Sequence, residues 1–194
     1  MTAETPGERA AAVEIFDATI ALHTRMRDTD HAAVLQAAAA IRACHAAGGK
    51  VLLFGNGGSA ADAQHMAAEL VSRFARERRA LAAISLTTDT SVLTAIGNDY
   101  TFDRVFVRQI EALGRRGDVA FGISTSGASP NVVRGLETAR ALGLRTIALT
   151  GREGGAAGAA AEIHINVPDA STARVQEVHR TLIHVICELV ERHI

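Results

Sequence analysis

The sequence predicts an α/β fold: a five-stranded parallel sheet with helices on both faces, a three-layer arrangement of flavodoxin type. Five short apolar runs, at 51–54, 81–86, 118–123, 144–149 and 163–167, follow Lys50, and most are separated by helix-length stretches. Strands alternating with helices pair in parallel and need cover on both faces. At 194 residues the chain has the size of one compact domain that can bury its own core.

The elements follow in order. Between Glu8 and Arg27 the apolar residues Ala12, Phe16, Ile20, Leu22 and Met26 recur at helical spacing, after Pro6-Gly7 and before Thr29-Asp30. A second helix runs from Asp30 to His45 and ends in Ala46-Ala47-Gly48-Gly49. The alanine-rich faces of both can approach another backbone closely, either in a second subunit or on the sheet. Residues 1–49 therefore read as a helical oligomerisation segment, and 50–194 as one compact ligand-binding unit. Within that unit, helices are expected over 59–74, 102–113, 131–142 and 172–193, and Gly154 to Gly158 reads as a flexible loop. Ligands of such a sheet bind at the carboxyl ends of its strands.

Composition narrows the chemistry. Apolar residues make up 48% and charged residues 21%, which excludes a disordered chain. Basic and acidic side chains nearly cancel, 20 against 21, so the excess expected of a nucleic-acid binder is missing. Lys50 is the single lysine, which leaves a Schiff base or a P-loop lysine one improbable position. Cys44 and Cys187 lie far apart without metal spacing and read as buried, reduced thiols. The N-terminus is polar and acidic rather than basic and then apolar, and no run approaches the ~18 apolar residues of a membrane span. The expected location is the cytoplasm, with no membrane partner.

Three constellations carry chemistry. The first strand runs through Gly55-Asn56-Gly57-Gly58-Ser59 into a helix, a glycine turn and helix N-terminus that favour an anion. Gly55-x-Gly57-x-x-Ala60 also fits a dinucleotide fingerprint, but the acid expected ~20 residues later has no clean match. The third strand ends in Ser124-Thr125-Ser126-Gly127-Ala128-Ser129-Pro130-Asn131, whose four hydroxyls before a helix form a nest suited to a phosphomonoester. His65 and Glu69 share a helix face among apolar neighbours, a pair that can move a proton or hold a metal. The last helix carries Gln176, Arg180 and His184 on one stripe, where His184 reads equally as an interior histidine; Glu177, His179 and Glu188 read as surface or interface residues. The arginines from Arg73 to Arg79 complement a helix C-terminus, and of these only Arg73 stands near enough to Glu69 to touch a ligand.

Taken in order, Gly55 to Ser59 with Asp62, His65 and Glu69, then Asn98-Asp99, Ser124 to Asn131, and Gln176 to His184 closely resemble the sugar isomerase (SIS) domain family. Within it they resemble the phosphoheptose isomerases, over almost the whole chain. The resemblance implies a single SIS domain that converts sedoheptulose 7-phosphate to D-glycero-D-manno-heptose 7-phosphate, the first step of nucleotide-activated heptose biosynthesis, through an enediolate. It implies sugar-phosphate contacts from Asn56, Gly57, Gly58, Ser59, Glu69, Arg73, Asn98, Asp99, Ser124, Thr125, Ser126, Ser129 and Gln176. It further implies one zinc per subunit held by His65, Glu69, Gln176 and His184, with Glu69 and His184 as the proton-transfer pair, in a homotetramer. The same fold also serves other ketose–aldose phosphate isomerases and a non-catalytic regulator that binds the replication initiator. Such regulators lack the acid–base pair, and both of its members are present here.

Overall fold

The computed structural model describes residues 6–194; the start of the polar N-terminal stretch lies outside them. A five-stranded sheet forms from β1 (Val51–Gly55), β2 (Ala83–Ser85), β3 (Val119–Ser124), β4 (Arg145–Gly151) and β5 (Ile163–Val167), in the order β2-β1-β3-β4-β5. Every neighbouring pair is parallel. The eight α-helices of the described residues are α1 (Pro6–Arg27), α2 (Ala32–Ala46), α3 (Gly58–Val71), α4 (Thr90–Asp99), α5 (Val105–Leu113), α6 (Pro130–Ala141), α7 (Gly155–Ala160) and α8 (Thr172–Glu191).

The period of two along each strand produces two cores. In β1, Val51 and Leu53 face a cluster with Ile41, Met66, Leu70, Ile183 and Val190 from α2, α3 and α8. Leu52 and Phe54 face the opposite side, against Phe106 and Ile110 of α5 and Leu136 of α6. Three layers follow, as expected. Asp118 anchors the amino edge of β3: its carboxylate accepts from the Lys50 ammonium at 2.6 Å and from the backbone N–H groups of Lys50 and Arg115.

Several local readings are corrected. The segment from Gly154 to Gly158 is no flexible loop; α7 occupies most of it, seated on β4 and β5. A side chain at Gly154 or Gly158 would strike the His164 ring, whose Cε1 lies 2.4 Å from a β-carbon built at either position, so the glycines admit a close approach. The stretch after β2 contains α4, which was not anticipated; Asp89 caps it by accepting from the Val92 N–H at 2.9 Å. The helix expected from Phe102 begins as a 3-10 turn, Phe102–Arg104. Strand and helix ends otherwise shift by a few residues.

The stripe on α1 divides: Leu22 is buried in the core and Met26 packs beside it, while Phe16 and Ile20 are 69% and 61% exposed. His179, read as a surface or interface residue, is fully buried. Its Nε2 donates to the Thr150 carbonyl at 2.9 Å, and burial lowers its pKa, so it is neutral. Cys44 and Cys187 are free and buried, and burial pushes the first up to about 11 and the second to about 12, so both remain inert thiols.

Candidate active site

In this strand order the chain reverses direction between β1 and β3, which opens a crevice at their carboxyl ends. The two loops expected to bind the ligand line it. β1 and β3 pair in register up to Gly55 opposite Ile123, so Asn56 and the serine loop emerge side by side. The side-chain amides of Asn56 and Asn131 close a reciprocal pair, 2.8 Å in each direction, and bridge the crevice. Asn131 is a site residue that the sequence reading left without a role.

On the β3 side, Ser124 is buried and its hydroxyl lies 3.1 Å from Ser129 Oγ and 3.4 Å from Ser126 Oγ. Ser126 Oγ accepts from the Ala128 N–H, and Thr125 is half-buried beside them. Gly127 turns the loop at φ +65°, with a β-carbon there 2.1 Å from the Gly154 carbonyl oxygen. Hydroxyls thus gather just before the start of α6, donors of the kind that suit an anion. On the β1 side, Gly57 has φ +55° and Gly58 opens α3. Ser59 is buried, its N–H donating to the Asn56 carbonyl.

Helices α3 and α8 both leave the carboxyl edge of the parallel sheet, so they run side by side in the same direction. Contacts repeat down their seam. Gln176 lies against Gly58, where a β-carbon would sit 2.4 Å from its Nε2. One turn on, the half-exposed Arg180 donates to buried Asp62 at 2.8 Å. Next His65 Nε2 and His184 Nε2 meet at 2.7 Å, with Glu69 Oε1 3.5 Å from His65 Nε2. Ligand atoms of His65, Glu69 and His184 all fall within 4.8 Å of one another, and Phe74 closes the group with its ring 5.5 Å from that of His184.

Two imidazoles and a carboxylate are a donor set that suits zinc. The facing nitrogens, 2.7 Å apart, would have to part by about 0.6 Å to share a metal at bonds of ~2.0–2.1 Å, a shift within reach of side-chain rotation. Gln176 stands on the same seam with its amide turned to Gly58. Where a dinucleotide pyrophosphate would rest on the helix N-terminus, this glutamine occupies the approach.

Other expected contacts lie outside this group within one chain. Arg73, 58% exposed beyond the end of α3, stands 3.9 Å from Glu77. Asn98 and Asp99 are exposed at the end of α4, the Asn98 amide donating to Asp99 at 2.9 Å. Asp99 lines a separate cavity of about 570 Å³ with Tyr100, Arg108 and Gln109.

The SIS domain model matches residues 14–151. The phosphoheptose isomerase of Citrifermentans bemidjiense is 62% identical over 148 residues, 76% of this chain and 77% of that protein. That of Desulfovibrio desulfuricans is 50% identical over 188 residues, 95% of this chain and 90% of the relative. The chain belongs to the phosphoheptose isomerases of the SIS domain family. A solved phosphoheptose isomerase from Neisseria gonorrhoeae superposes with a TM-score of 0.89 at 46% identity, covering 97% of this chain and all of the other. The one from Francisella tularensis gives 0.90 at 36%, with the same coverage.

Gly127→Ala forces the serine loop off the Gly154 carbonyl. Titration calorimetry with inorganic phosphate is expected to show binding at least tenfold weaker in a protein that still folds; unchanged affinity would remove this loop as the anion site.

Proposed function

We propose that the chain isomerises D-sedoheptulose 7-phosphate to D-glycero-D-manno-heptose 7-phosphate in the cytoplasm, the entry to nucleotide-activated heptose biosynthesis. The observation that carries the reading is the His65, Glu69 and His184 cluster, held between α8 and a helix that begins at the glycine turn after β1. The near-neutral net charge of −1 suits a small anion in a local nest more than a nucleic acid.

The phosphate binds at Ser124, Thr125, Ser126 and Ser129, with Asn56, Gly57, Gly58 and Ser59 along the chain of the sugar. Arg73, Asn98 and Asp99 complete the substrate contacts. Remote binding of this kind fixes C1 for proton transfer. Glu69 takes the proton from C1 and returns it to C2. Its Oε1 faces His65, which leaves the second oxygen for that proton. His184 gives a proton to O2 and regains one from O1, so the exchange balances with no net proton change. The donor set of His65, Glu69, Gln176 and His184 would hold one zinc, which when bound supplies Lewis-acid polarisation of the sugar oxygens. Buried free thiols accord with a reducing compartment.

Residues 1–49 act as the oligomerisation segment, and the working form is a homotetramer. Val13, Ile15, Phe16 and Ile20 of α1 are all more than half exposed, an apolar surface that a second copy would cover.

Incubation with sedoheptulose 7-phosphate, followed by NMR, is expected to show the aldose phosphate, and Glu69→Gln to reduce kcat by ~10²–10⁴ while phosphate binding persists. A variant keeping more than about a tenth of the rate removes Glu69 as the base.

Metal analysis of protein prepared without chelator is expected to find one zinc per chain, with His65→Ala losing it. No stoichiometric zinc, together with no effect of added zinc on rate or melting temperature, would leave a metal-free site.

Phe16→Asp combined with Ile20→Asp is expected to shrink the particle in light scattering and to lower activity together. A fully active wild-type monomer at micromolar concentration contradicts the assembly.

A further inference from the structure

Beyond the cluster, the ends of α3 and α8 are joined by one enclosed ion pair. Arg78 and Glu191 expose 6% and 3% of their side chains, and Arg78 Nε stands 3.3 Å from Glu191 Oε1. Glu191, the last residue of α8, also accepts from three consecutive backbone N–H groups: Phe74 at 3.0 Å, and Ala75 and Arg76 at 2.8 Å each. Successive amides of this kind form a concave anion site, and the carboxylate of the chain itself fills it.

The terminal nitrogens of Arg78 turn the other way. They donate to the carbonyls of Glu69 at 2.7 Å, Leu70 at 2.8 Å and Ser72 at 3.2 Å, which the end of α3 leaves without helical partners. One bonded carbonyl belongs to Glu69 itself. One bonded amide belongs to Phe74, whose ring lies on His184. Burial opposes ionisation of Glu191, but the three amides and Arg78 outweigh it and hold its pKa below the usual carboxylate value, so the carboxylate is charged at neutral pH. A buried ion pair is a weak source of stability compared with apolar packing, so stability alone does not account for it.

We propose that Arg78 and Glu191 are positioning residues: the pair fixes α3 against α8 and thereby sets His65, Glu69 and His184 at the spacing that binds a divalent metal and moves a proton. This rests on the reading of that cluster as the metal and acid–base site.

The test compares the full chain with Glu191→Gln, which keeps the shape and removes the charge, and with Asp118→Asn, which breaks the buried Lys50 pair at the opposite edge of the sheet. Each is measured for melting temperature, for zinc affinity by competition with a chromophoric chelator, and for kcat and KM with sedoheptulose 7-phosphate. Ring Cε1–H resonances of the histidines are recorded in the metal-free protein. Both variants are expected to melt lower. Only Glu191→Gln should weaken zinc ~10–100-fold, lower kcat with KM within about twofold, and move the His65 and His184 resonances while His164 stays. A Glu191→Gln protein that melts lower yet keeps wild-type zinc affinity and histidine resonances overturns the proposal. If the wild type binds no zinc and turns over no substrate, the reading of the site fails, and the metal-free resonances alone still decide the positioning role. Should Glu191→Gln not fold, Arg78→Lys keeps a cation beside Glu191 and removes the bonds to the Glu69 and Leu70 carbonyls; unmoved His65 and His184 resonances and unchanged zinc affinity there overturn it as well.

Discussion

The site depends on the parallel contact between α3 and α8. A parallel sheet sends every crossover helix back from the same edge, so two helices on one face can run together over their full length. Gly58 against Gln176, Asp62 against Arg180 and His65 against His184 are successive steps of that contact. Each residue in a helix turns by about 100°, so a slip of one position would carry His184 off the seam and leave Asp62 buried without its arginine. The chemistry therefore requires a fixed helix register. The groups that fix it are polar, because the seam opens into the ligand crevice at one end and cannot be filled by apolar packing throughout.

Anchoring and chemistry are assigned to different elements. The anion surface is made of loops at the strand ends, where backbone amides and hydroxyls are presented by the sheet and stiffened by the Asn56–Asn131 pair. Glu69 and His184, the groups proposed to move the proton, sit on α3 and α8. Binding at a remote phosphate lowers the barrier only if the reacting carbon is held as firmly as the phosphate. Both halves must be rigid.

Much of this was legible in the sequence because the relevant signals are local. The apolar run at 51–54, the glycine turn at Gly55 to Gly58, the hydroxyls at Ser124 to Ser129 and the four-residue spacing of His65 and Glu69 are each written within a few positions. What stayed hidden depends on tertiary placement. Glu191 lies among Glu188 and Arg192 and looks like a solvated helix end, yet it is buried by a loop more than a hundred positions earlier. His179 is one residue from Arg180 on the same helix, and only the position of β4 determines that it faces the Thr150 carbonyl. The glycines around α7 look flexible because nothing local reveals the His164 ring they rest on. The helix α4 is different in kind: its Asp89 cap is itself a local signal.

The cluster itself stands partly open. His65 and Glu69 expose 35% and 23% of their side chains, and Arg180 beside them is half exposed. Charge that develops on an enediolate is stabilised best where water is excluded and the dipoles are already oriented. One chain provides the dipoles and only part of the enclosure. Asn98, Asp99 and Arg73 point the same way, since each is exposed and bonded to a neighbour in sequence rather than to the loops it is expected to assist. A second copy packed on α1 and over the seam would supply the missing wall and lower the local dielectric around Glu69. If the chain works as the proposed oligomer, the exposed apolar face of α1 and the half-open His65 and Glu69 are two aspects of one requirement: a second copy must cover both.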